Sequence, residues 1–331
     1  MTARPQLPPL ARFLLARLAG GAFTLLLAAT LVFLATNVLP GDIAHAVLGA
    51  NATPELVASV RADLGLDEPP HRRYLDFIGG LLTGDLGNSS AALAQGNVLP
   101  VADVIGTPLR NTAVLAAITF ALFVPLCLVL AGVAASRVGG TVDRLLSGGT
   151  IAAAAFPEFL VATVLISVFF DALDWLPPLA AVPEGRTPLD DPLALVMPVT
   201  TLLVLCVATG FRLVRAAAVE VLAEPYVDWA RLNGVPEATV LRRYVLRNAL
   251  APAVQAFAEV ARYLFGGVIV VEAVFAFPGI GGLLVRGISV NDVQQTCVIA
   301  TVLAVLYWAI NTLADLAVIR LVPRLRTEAS R

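Results

Sequence analysis

Ionisable side chains inside long apolar runs are the residues of this chain whose types and positions could do chemistry. Glu158, Glu259 and Arg262 lie within such runs, and Asn311 lies with Asp315 in the last one. A charge in hydrocarbon is costly unless it faces a cavity or a partner, so these groups predict a polar path through a membrane. The spacing of Glu259 and Arg262 also fits a structural ion pair on one helix face. Glu158 follows a proline that loosens the helix, and both a cavity-lining role and a packing role are open for it.

Other candidates for chemistry are weaker. The glycine-rich segment 277–282 lacks the lysine and the preceding strand of a phosphate-binding loop, so this chain is not expected to hydrolyse nucleotide itself. His45 and His71 are too few for a metal-histidine cluster and are expected on the surface. The pair Ser89-Ser90 has neither a nucleophile elbow nor a positioned base, which leaves intramembrane hydrolysis with weak support. The sequence predicts a non-catalytic chain without a cofactor or metal site of its own.

The composition indicates which elements must position these groups. The chain has 331 residues, of which 58% are hydrophobic and 14% charged, with a mean hydropathy of +0.85. It is too apolar for a soluble domain, and a helix needs roughly 20 apolar residues to cross a bilayer. The predicted fold class is an all-α polytopic membrane protein with six transmembrane helices. The spans are predicted over Phe13–Leu39, Thr112–Ala135, Leu145–Phe170, Leu193–Val214, Val254–Phe275 and Thr296–Leu321.

The distribution of the arginines predicts how these spans are oriented in the membrane. Most of them fall near the two ends of the chain, in the loop after the second span and in the segment between the fourth and fifth spans. Because basic residues accumulate in cytoplasmic loops, both termini are predicted to be cytoplasmic. The predicted organisation is an N-terminal tail with the first span over residues 1–39, an extracytoplasmic insertion over 40–107 and a five-helix core over 108–331. Glu272 then lies near the outer end of its span and is expected to be solvated.

Two segments on the outer side carry signals of their own. Within the insertion, Thr53 is a predicted N-cap followed by a proline, with a helix end at Gly65. A second apolar face recurs over His71–Leu82, and both helices are predicted to lie on the surface. The loop Asp171–Asp191 is short and acidic and is expected to be an ordered cap. The three cysteines lie in or beside the apolar runs and are expected to be packed thiols.

Residues 224–252 form the one long polar stretch between apolar runs of the core. Apolar residues recur at helical spacing on both sides of Asn233-Gly234, which predicts two short helices joined by a left-handed turn at Gly234. Pro236 fits the first turn of the second helix. By periodicity alone, this segment is either an amphipathic helix in the lipid headgroups or a docking helix for a soluble partner. In the second case a groove of the partner would take Leu232, Val235 and Leu241.

Short motifs along nearly the whole chain resemble those of the inner-membrane permease subunits of binding-protein-dependent ABC importers, in the dipeptide, oligopeptide and nickel group. Any one motif is weak, and together they are highly specific. They are Val38-Leu39-Pro40-Gly41-Asp42, Leu64-Gly65-Leu66-Asp67, Gly84-Asp85-Leu86-Gly87, Pro225-Tyr226-Val227 through Ala230-Arg231 to Gly234, Leu246-Arg247-Asn248-Ala249-Leu250-Ala251-Pro252, Val271-Glu272-Ala273-Val274-Phe275 and Phe277-Pro278-Gly279-Ile280-Gly281.

The resemblance implies a type I ABC importer permease fold, with the cytoplasmic segment 224–252 carrying the coupling helix that sits in a cleft of an ATPase subunit. Asp228 and Trp229 stand where the general consensus of this helix has glutamate and alanine. The coupling residues implied in this way are Tyr226, Asp228, Trp229, Ala230, Leu232, Gly234, Val235 and Glu237.

The same resemblance implies a permease subunit of an ATP-driven importer in the bacterial inner (plasma) membrane. Its partners would be a second homologous permease, two ATPase subunits or a fused ATPase that bind ATP and Mg, and an extracytoplasmic substrate-binding protein, with no nucleic acid. Di- and oligopeptides are the substrates implied first, with nickel chelates, glycosides or haem as alternatives. The residues implied to face the binding protein are Asp42, Asp85, Pro278 and Gly279.

Two functions of other classes stay open on the sequence. Glu158, Glu259 and Asp315 could carry an ion or a proton in a secondary transporter, although the inverted halves and paired broken helices of such transporters are not visible here. The chain could also be a membrane scaffold without transport activity, and residues 224–252 would then be only a docking site.

Overall fold

The computed structural model describes residues 9–37, 43–49, 52–183 and 185–321. Over these ranges the chain forms helices and turns, and strand-like pairing is limited to one bridge between Asn88 and Pro100. The predicted all-α class is confirmed. The chain divides into two compact units, the first comprising Met1–Asn111 and Pro278–Ala309 and the second Thr112–Phe277 and Ile310–Arg331.

Five helices in the described ranges are long and apolar enough to cross a membrane. Their apolar stretches are 21 to 35 residues long, and roughly 20 residues suffice for a span. They correspond to the first, second, fourth, fifth and sixth predicted runs. These helices are α1 (Pro9–Asn37), α6 (Val101–Ala135), α9 (Pro192–Leu222), α12 (Arg247–Val274) and α14 (Val293–Leu321).

The third predicted span, Leu145–Phe170, is wrong as a single helix. The chain forms α7 (Thr141–Ala154) and α8 (Glu158–Ile166), bent at 103° to each other, and a π-helical turn extends α8 over Ser167–Ala172. Pro157 caps α8 with an extended backbone. Proline lacks the N–H that a continuous helix needs and drives the residue before it out of the helical conformation. Within the described ranges there are up to six spans when the bent pair is counted as one of them.

The core of the second unit lies around α9 and α12, which pack against each other and against α8. The ring of Phe123 on α6 is fully buried and lies over Gly210 of α9. A Cβ atom at Gly210 would lie 2.5 Å from the ring atom Cζ, so glycine permits this close approach. Cys127 and Cys206 belong to the same core and Cys297 is also buried, which confirms the prediction of packed thiols.

The first unit contains the short helices of the predicted insertion. These are α2 (Ile43–Leu48), α3 (Pro54–Asp63), α4 (Pro70–Thr83) and α5 (Ser90–Leu93), with α13 (Ile280–Ser289) from later in the chain. Thr53 caps α3 as predicted, its hydroxyl accepting a backbone N–H at 3.3 Å, and Gly65 follows with φ +61°. Tyr74 and Phe77 of α4 pack on Phe33 of α1. The helix predicted over His71–Leu82 is therefore held against a span.

Asp292 fastens α5 to the start of α14 within the first unit. Its buried carboxylate accepts the hydroxyl of Ser89 and the backbone N–H groups of Ser90 at 2.9 Å and Gln295 at 3.1 Å. The two serines are therefore buried and donate hydrogen bonds to this carboxylate. His45 and His71 are exposed, as predicted.

Local hydrogen bonds stabilise the described part of the loop 171–191. Thr187 and Asp190 form a reciprocal cap on a short 3-10 turn, Pro188–Asp190. The Ala180 N–H donates to the Phe275 carbonyl oxygen at 2.8 Å. This backbone bond ties the loop to the end of α12.

Because Phe123 lies against Gly210, we expect a methyl group added at position 210 to lower the stability of the protein. Gly210→Ala should destabilise the protein by about 1–3 kcal/mol, because an overpacked core must shift its side chains or backbone. Thermal unfolding in detergent, followed by size-exclusion chromatography, measures this effect. Gly106→Ala is the matched control, since a Cβ at Gly106 of α6 would meet nothing within 4 Å. Equal melting temperatures for the two variants would contradict the close packing.

Candidate functional site

The polar segment begins with α10 (Pro225–Leu232). Glu224 holds the extended backbone of an N-cap, and Pro225 occupies the first helical position, where its missing N–H is not needed. Val227 and Ala230 lie one helical turn apart and both have 0% exposure. One face of this short helix is therefore fully packed.

The chain turns at Gly234, as the sequence predicts. Helix α10 ends at Leu232, and Gly234 has φ +74°, a conformation that costs about 1–2 kcal/mol for a residue with a Cβ atom. The Asn233 side chain donates to the Trp229 carbonyl oxygen at 2.7 Å. This bond satisfies a carbonyl group that the end of the helix leaves open.

The second helix of the segment is longer than predicted. It starts as α11 (Glu237–Thr239), passes through a π-helical stretch, Val240–Leu246, and continues into α12. Pro236 is its N-cap residue instead of part of its first turn, and Pro252 lies inside α12. Prolines are tolerated in membrane helices where neighbouring groups satisfy the freed backbone. The second helix of the polar segment thus runs without a break into the fifth span.

Helix α10 rests on a set of small apolar side chains that we call the α10 cluster. It joins α10 to the ends of α6 and α9 and to the start of the helix that leads into α12. Full burial of a valine stabilises a protein by roughly 1.5–3 kcal/mol, so this packing fixes α10 firmly. The cluster consists of Ala135, Ala217, Ala218, Val227, Ala230, Val240, Val245 and Ala249.

The opposite face of α10 is apolar and open. Leu232, Trp229 and Tyr226 have exposures of 86%, 65% and 38%. Large apolar side chains grouped on one exposed face indicate an interaction surface. We call these three residues the α10 apolar face.

Charged groups hold the turn beside this face. Arg231 pairs with Glu237 at 2.7 Å and approaches Asp228 at 3.6 Å. Hydrogen bonding from Arg231 lowers the pKa of the Glu237 carboxyl below its usual value. Val235 is half-buried against the α10 cluster. The eight predicted coupling residues thus lie on α10, on the turn that follows it and at the first position of α11.

A stripe of exposed residues runs along α12. Gln255, Glu259, Tyr263 and Gly266 are all exposed, and their spacing of three or four residues places them on one helix face. A spanning helix that meets only lipid would carry apolar side chains there. We call these four residues the α12 polar stripe.

Ion pairs and hydrogen bonds connect the stripe to neighbouring helices. Arg262 pairs with Glu259, as its spacing predicts, and lies 3.7 Å from Asp315 of α14. The Tyr263 hydroxyl donates to the Glu158 carboxylate of α8 at 2.6 Å. The predicted path residue Asn311 is half-buried on α14. Glu158, Glu259 and Arg262 are therefore linked through α12.

The expectation that Glu272 is solvated is wrong. Its side chain has 0% exposure and accepts the hydroxyl of Thr112 on α6 at 2.5 Å. The position of Glu272 near the end of its span suggested contact with solvent. In the structure, the contact with Thr112 of α6 covers the carboxylate.

Three of the four residues implied to face a binding protein are described, and all three belong to the first unit. Asp42 is outside the described residues. Asp85 is exposed, accepts the Gly87 N–H at 3.1 Å and lines a cavity of about 410 Å³. The Pro278 carbonyl oxygen accepts from the Asn111 side chain at 3.0 Å, and Gly279 is the N-cap of α13.

One ion pair near the α10 cluster, between a buried aspartate and a half-buried arginine, was not predicted from the sequence. Asp143, in the first turn of α7, has 3% exposure and meets Arg215 of α9 in two parallel bonds of 2.5 and 2.6 Å. In the sequence, Arg215 counted only as one of the arginines that mark the cytoplasmic side. The aspartate at the start of an apolar run was the available signal for a partner.

Apolar spanning helices, a polar stripe along one of them and a rigid two-faced helix between two spans define a membrane protein of the transporter class. Comparison with known sequences then identifies it further. The chain belongs to the family described as the binding-protein-dependent transport system inner membrane component, whose model matches residues 127–327. The model of the N-terminal part of such components matches residues 10–97.

Curated relatives agree over nearly the whole chain. The putative peptide transport system permease protein of Brucella abortus is 32% identical over 313 residues, covering 95% of this chain and 98% of the relative. The glutathione transport system permease protein GsiC of Pectobacterium atrosepticum is 33% identical, with coverage of 95% and 98%. GsiC of Escherichia coli is also 33% identical, with coverage of 90% and 97%. The family predicted from the motifs is confirmed, and the chain is a multi-pass inner-membrane permease component.

Proposed function

We propose that this permease forms half of the translocation path of an ATP-driven importer for di- and oligopeptides. A second homologous permease supplies the other half, and an extracytoplasmic binding protein delivers the substrate. Two ATPase subunits, or one fused ATPase, bind ATP with Mg²⁺ and hydrolyse it, so this chain contributes no catalytic group. Both termini lie in the cytoplasm, as the arginine distribution favours.

The observation that carries this proposal is the geometry of α10. Its inner face is fully buried in the α10 cluster, while Leu232 and Trp229 project from the other face. A helix that docks into a groove needs such an apolar face on a rigid support. The charges of Arg231, Asp228 and Glu237 at its rim can set its orientation in the groove.

The mechanism follows from how α10 is attached. When ATP binding closes the ATPases, the cleft that holds α10 moves, and the α10 cluster transmits this movement to the ends of α6, α9 and α12. Close-packed interiors transmit displacement because they hold few voids. A rigid-body movement of these spans then switches access to the path from one side of the membrane to the other.

The α12 polar stripe supports a path along this helix. Glu259 is exposed within a span, and an intramembrane carboxylate is expected to face water or a protein partner. The paired Arg262 and the bonded Glu158 add further polar groups from the same region. A peptide carries an ammonium and a carboxylate group, and these side chains offer partners for both charges.

Peptides are favoured as substrates by the relatives, which are described as peptide and glutathione transport permeases. Glutathione is itself a short peptide. Uptake in membrane vesicles of labelled tri-alanine and labelled glutathione, each with the binding protein of the same system, separates a general peptide importer from a glutathione importer.

Leu232→Asp tests the docking of α10. We expect the amount of ATPase recovered with the affinity-purified permease to fall at least about tenfold. The reason is that a carboxylate replaces an apolar side chain at the centre of the interface, where a few residues contribute most of the binding energy. The matched control is Leu82→Asp on α4, since Leu82 is 83% exposed and Leu232 is 86% exposed. Loss of ATPase recovery in both variants, or in neither, would refute the assignment of the α10 apolar face.

Single cysteines test the path. The native cysteines are buried, so Glu259→Cys and Tyr263→Cys can be labelled selectively with a charged, membrane-impermeant thiol reagent. We expect them to react on the order of tenfold faster than a cysteine in lipid, because reaction requires a hydrated thiolate.

The control for the path is Phe23→Cys on α1, where the side chain is 69% exposed and the exposed Leu26 and Leu27 lie one helical turn away. Labelling is done in both inside-out vesicles and spheroplasts, which present opposite faces of the membrane. Reaction at position 23 as fast as at 259 and 263, on either face, would argue against a hydrated path along α12.

A further inference from the structure

The ion pair between the buried Asp143 and the half-buried Arg215 joins α7 to α9, which no other described ion pair joins. Asp143 lies in the first turn of α7, and Arg215 lies near the C-terminal end of α9. The guanidinium Nε and Nη2 atoms bind the two carboxylate oxygens at 2.5 and 2.6 Å. Such a two-bond fork fixes both distance and orientation.

The remaining capacity of the Asp143 carboxylate is also used. Its Oδ2 atom accepts the Gly139 N–H at 2.9 Å, and its Oδ1 atom lies 3.4 Å from the Ser147 hydroxyl. The carboxylate therefore holds the loop after α6, the first turn of α7 and α9 at one point. A carboxylate in this position stays buried because its charge is paired and hydrogen-bonded.

Arg215 lies on the same stretch of α9 as the α10 cluster. Ala217 and Ala218 of that cluster follow within one helical turn of Arg215. Displacement of α10 must therefore move the part of α9 that carries the guanidinium group. Through the fork, the start of α7 is pulled with it.

At its other end, α7 leads directly to the polar path. It stops at Ala154, bends by 103° and continues as α8, whose first residue is Glu158. Glu158 accepts the Tyr263 hydroxyl of the α12 polar stripe. A lever thus runs from α10 through α9 and the fork to α7, and through the bend to a carboxylate on the path.

We propose that the Asp143–Arg215 pair is a positioning joint that carries the movement of α10 to the bent α7–α8 element. This inference rests on the proposed function, since it needs an ATPase that displaces α10. Neither residue touches substrate or nucleotide. Their role is to keep α7 and α10 moving as one body while the path changes access.

The experiment measures one distance in the assembled transporter. Spin labels are attached to Leu145→Cys on α7, where the side chain is 70% exposed, and to Glu224→Cys, whose side chain makes no capping bond. Double electron–electron resonance spectroscopy then measures the distribution of distances between the two labels. It is recorded for the complex without nucleotide and for the complex trapped with ADP and vanadate. In the parent protein we expect the mean distance between the labels to differ by less than about 2 Å between these two states, because helix shifts of about 1–2 Å are ordinary.

Two variants remove the joint in different ways. Asp143→Asn removes the charge, and Arg215→Lys keeps the charge but cannot form the planar fork. In each, trapping should shift the label distance by more than about 2 Å or broaden its distribution by that amount. Asp67→Asn is the matched control, because the Arg61–Asp67 pair is solvent-exposed, with side-chain exposures of 40% and 66%.

The outcomes separate three accounts. A label distance in both variants that behaves as in the parent, even with a lower melting temperature, overturns the joint and leaves the pair a purely stabilising contact. A parent complex that traps nucleotide but changes its label distance beyond this range also overturns the joint, while leaving the proposed function intact. A parent protein that recovers no ATPase and traps no nucleotide overturns the proposed function itself. Arg215→Lys keeps the test decisive if Asp143→Asn does not fold.

Discussion

The structure depends on the burial of Val227 and Ala230 against the ends of the spans. These two side chains have 0% exposure and turn a short helix outside the apolar runs into a part of the helical bundle. Without this contact, α10 would be an isolated helix of 8 residues, a length that is marginal in water. With it, the apolar side chains on the other face are held in fixed positions. Rigidity of this kind is what distinguishes a lever from a flexible loop.

The exposed residues of α1 and α12 differ in polarity, and this difference indicates which surroundings each helix contacts. Exposed positions of α1 include Leu15, Leu18, Phe23 and Leu31, which suit hydrocarbon. The exposed positions of α12 include a glutamine, a glutamate and a tyrosine, which suit water or a protein partner. Composition averaged over each span hides this difference, because both helices pass the same test of overall hydropathy. Only the placement of exposed residues on one face separates a helix facing lipid from a helix beside a path.

Local features of the chain could be predicted from the sequence, and distant pairings could not. The left-handed turn at Gly234 and the cap at Thr53 depend on neighbouring residues, so their types suffice. The spans follow from apolar length, although apolar length alone does not reveal the 103° bend that follows α7 at Pro157. The partners of Glu272 and Asp143 lie 160 and 72 residues away, and a single sequence holds no signal for such distances. The candidate site residues were therefore proposed from motifs, and the contacts that hold them became visible only in the structure.

The most direct test of the central claim is to identify what Trp229 touches in the membrane. A photoreactive amino acid at position 229 is compared with the same amino acid at position 175, because the two tryptophans have nearly equal exposure, 65% and 68%. After irradiation of membranes that contain the whole transporter, we predict a covalent adduct with the ATPase from position 229 and none from position 175. Adducts with lipid alone at position 229 would contradict a docking helix and return α10 to the membrane surface.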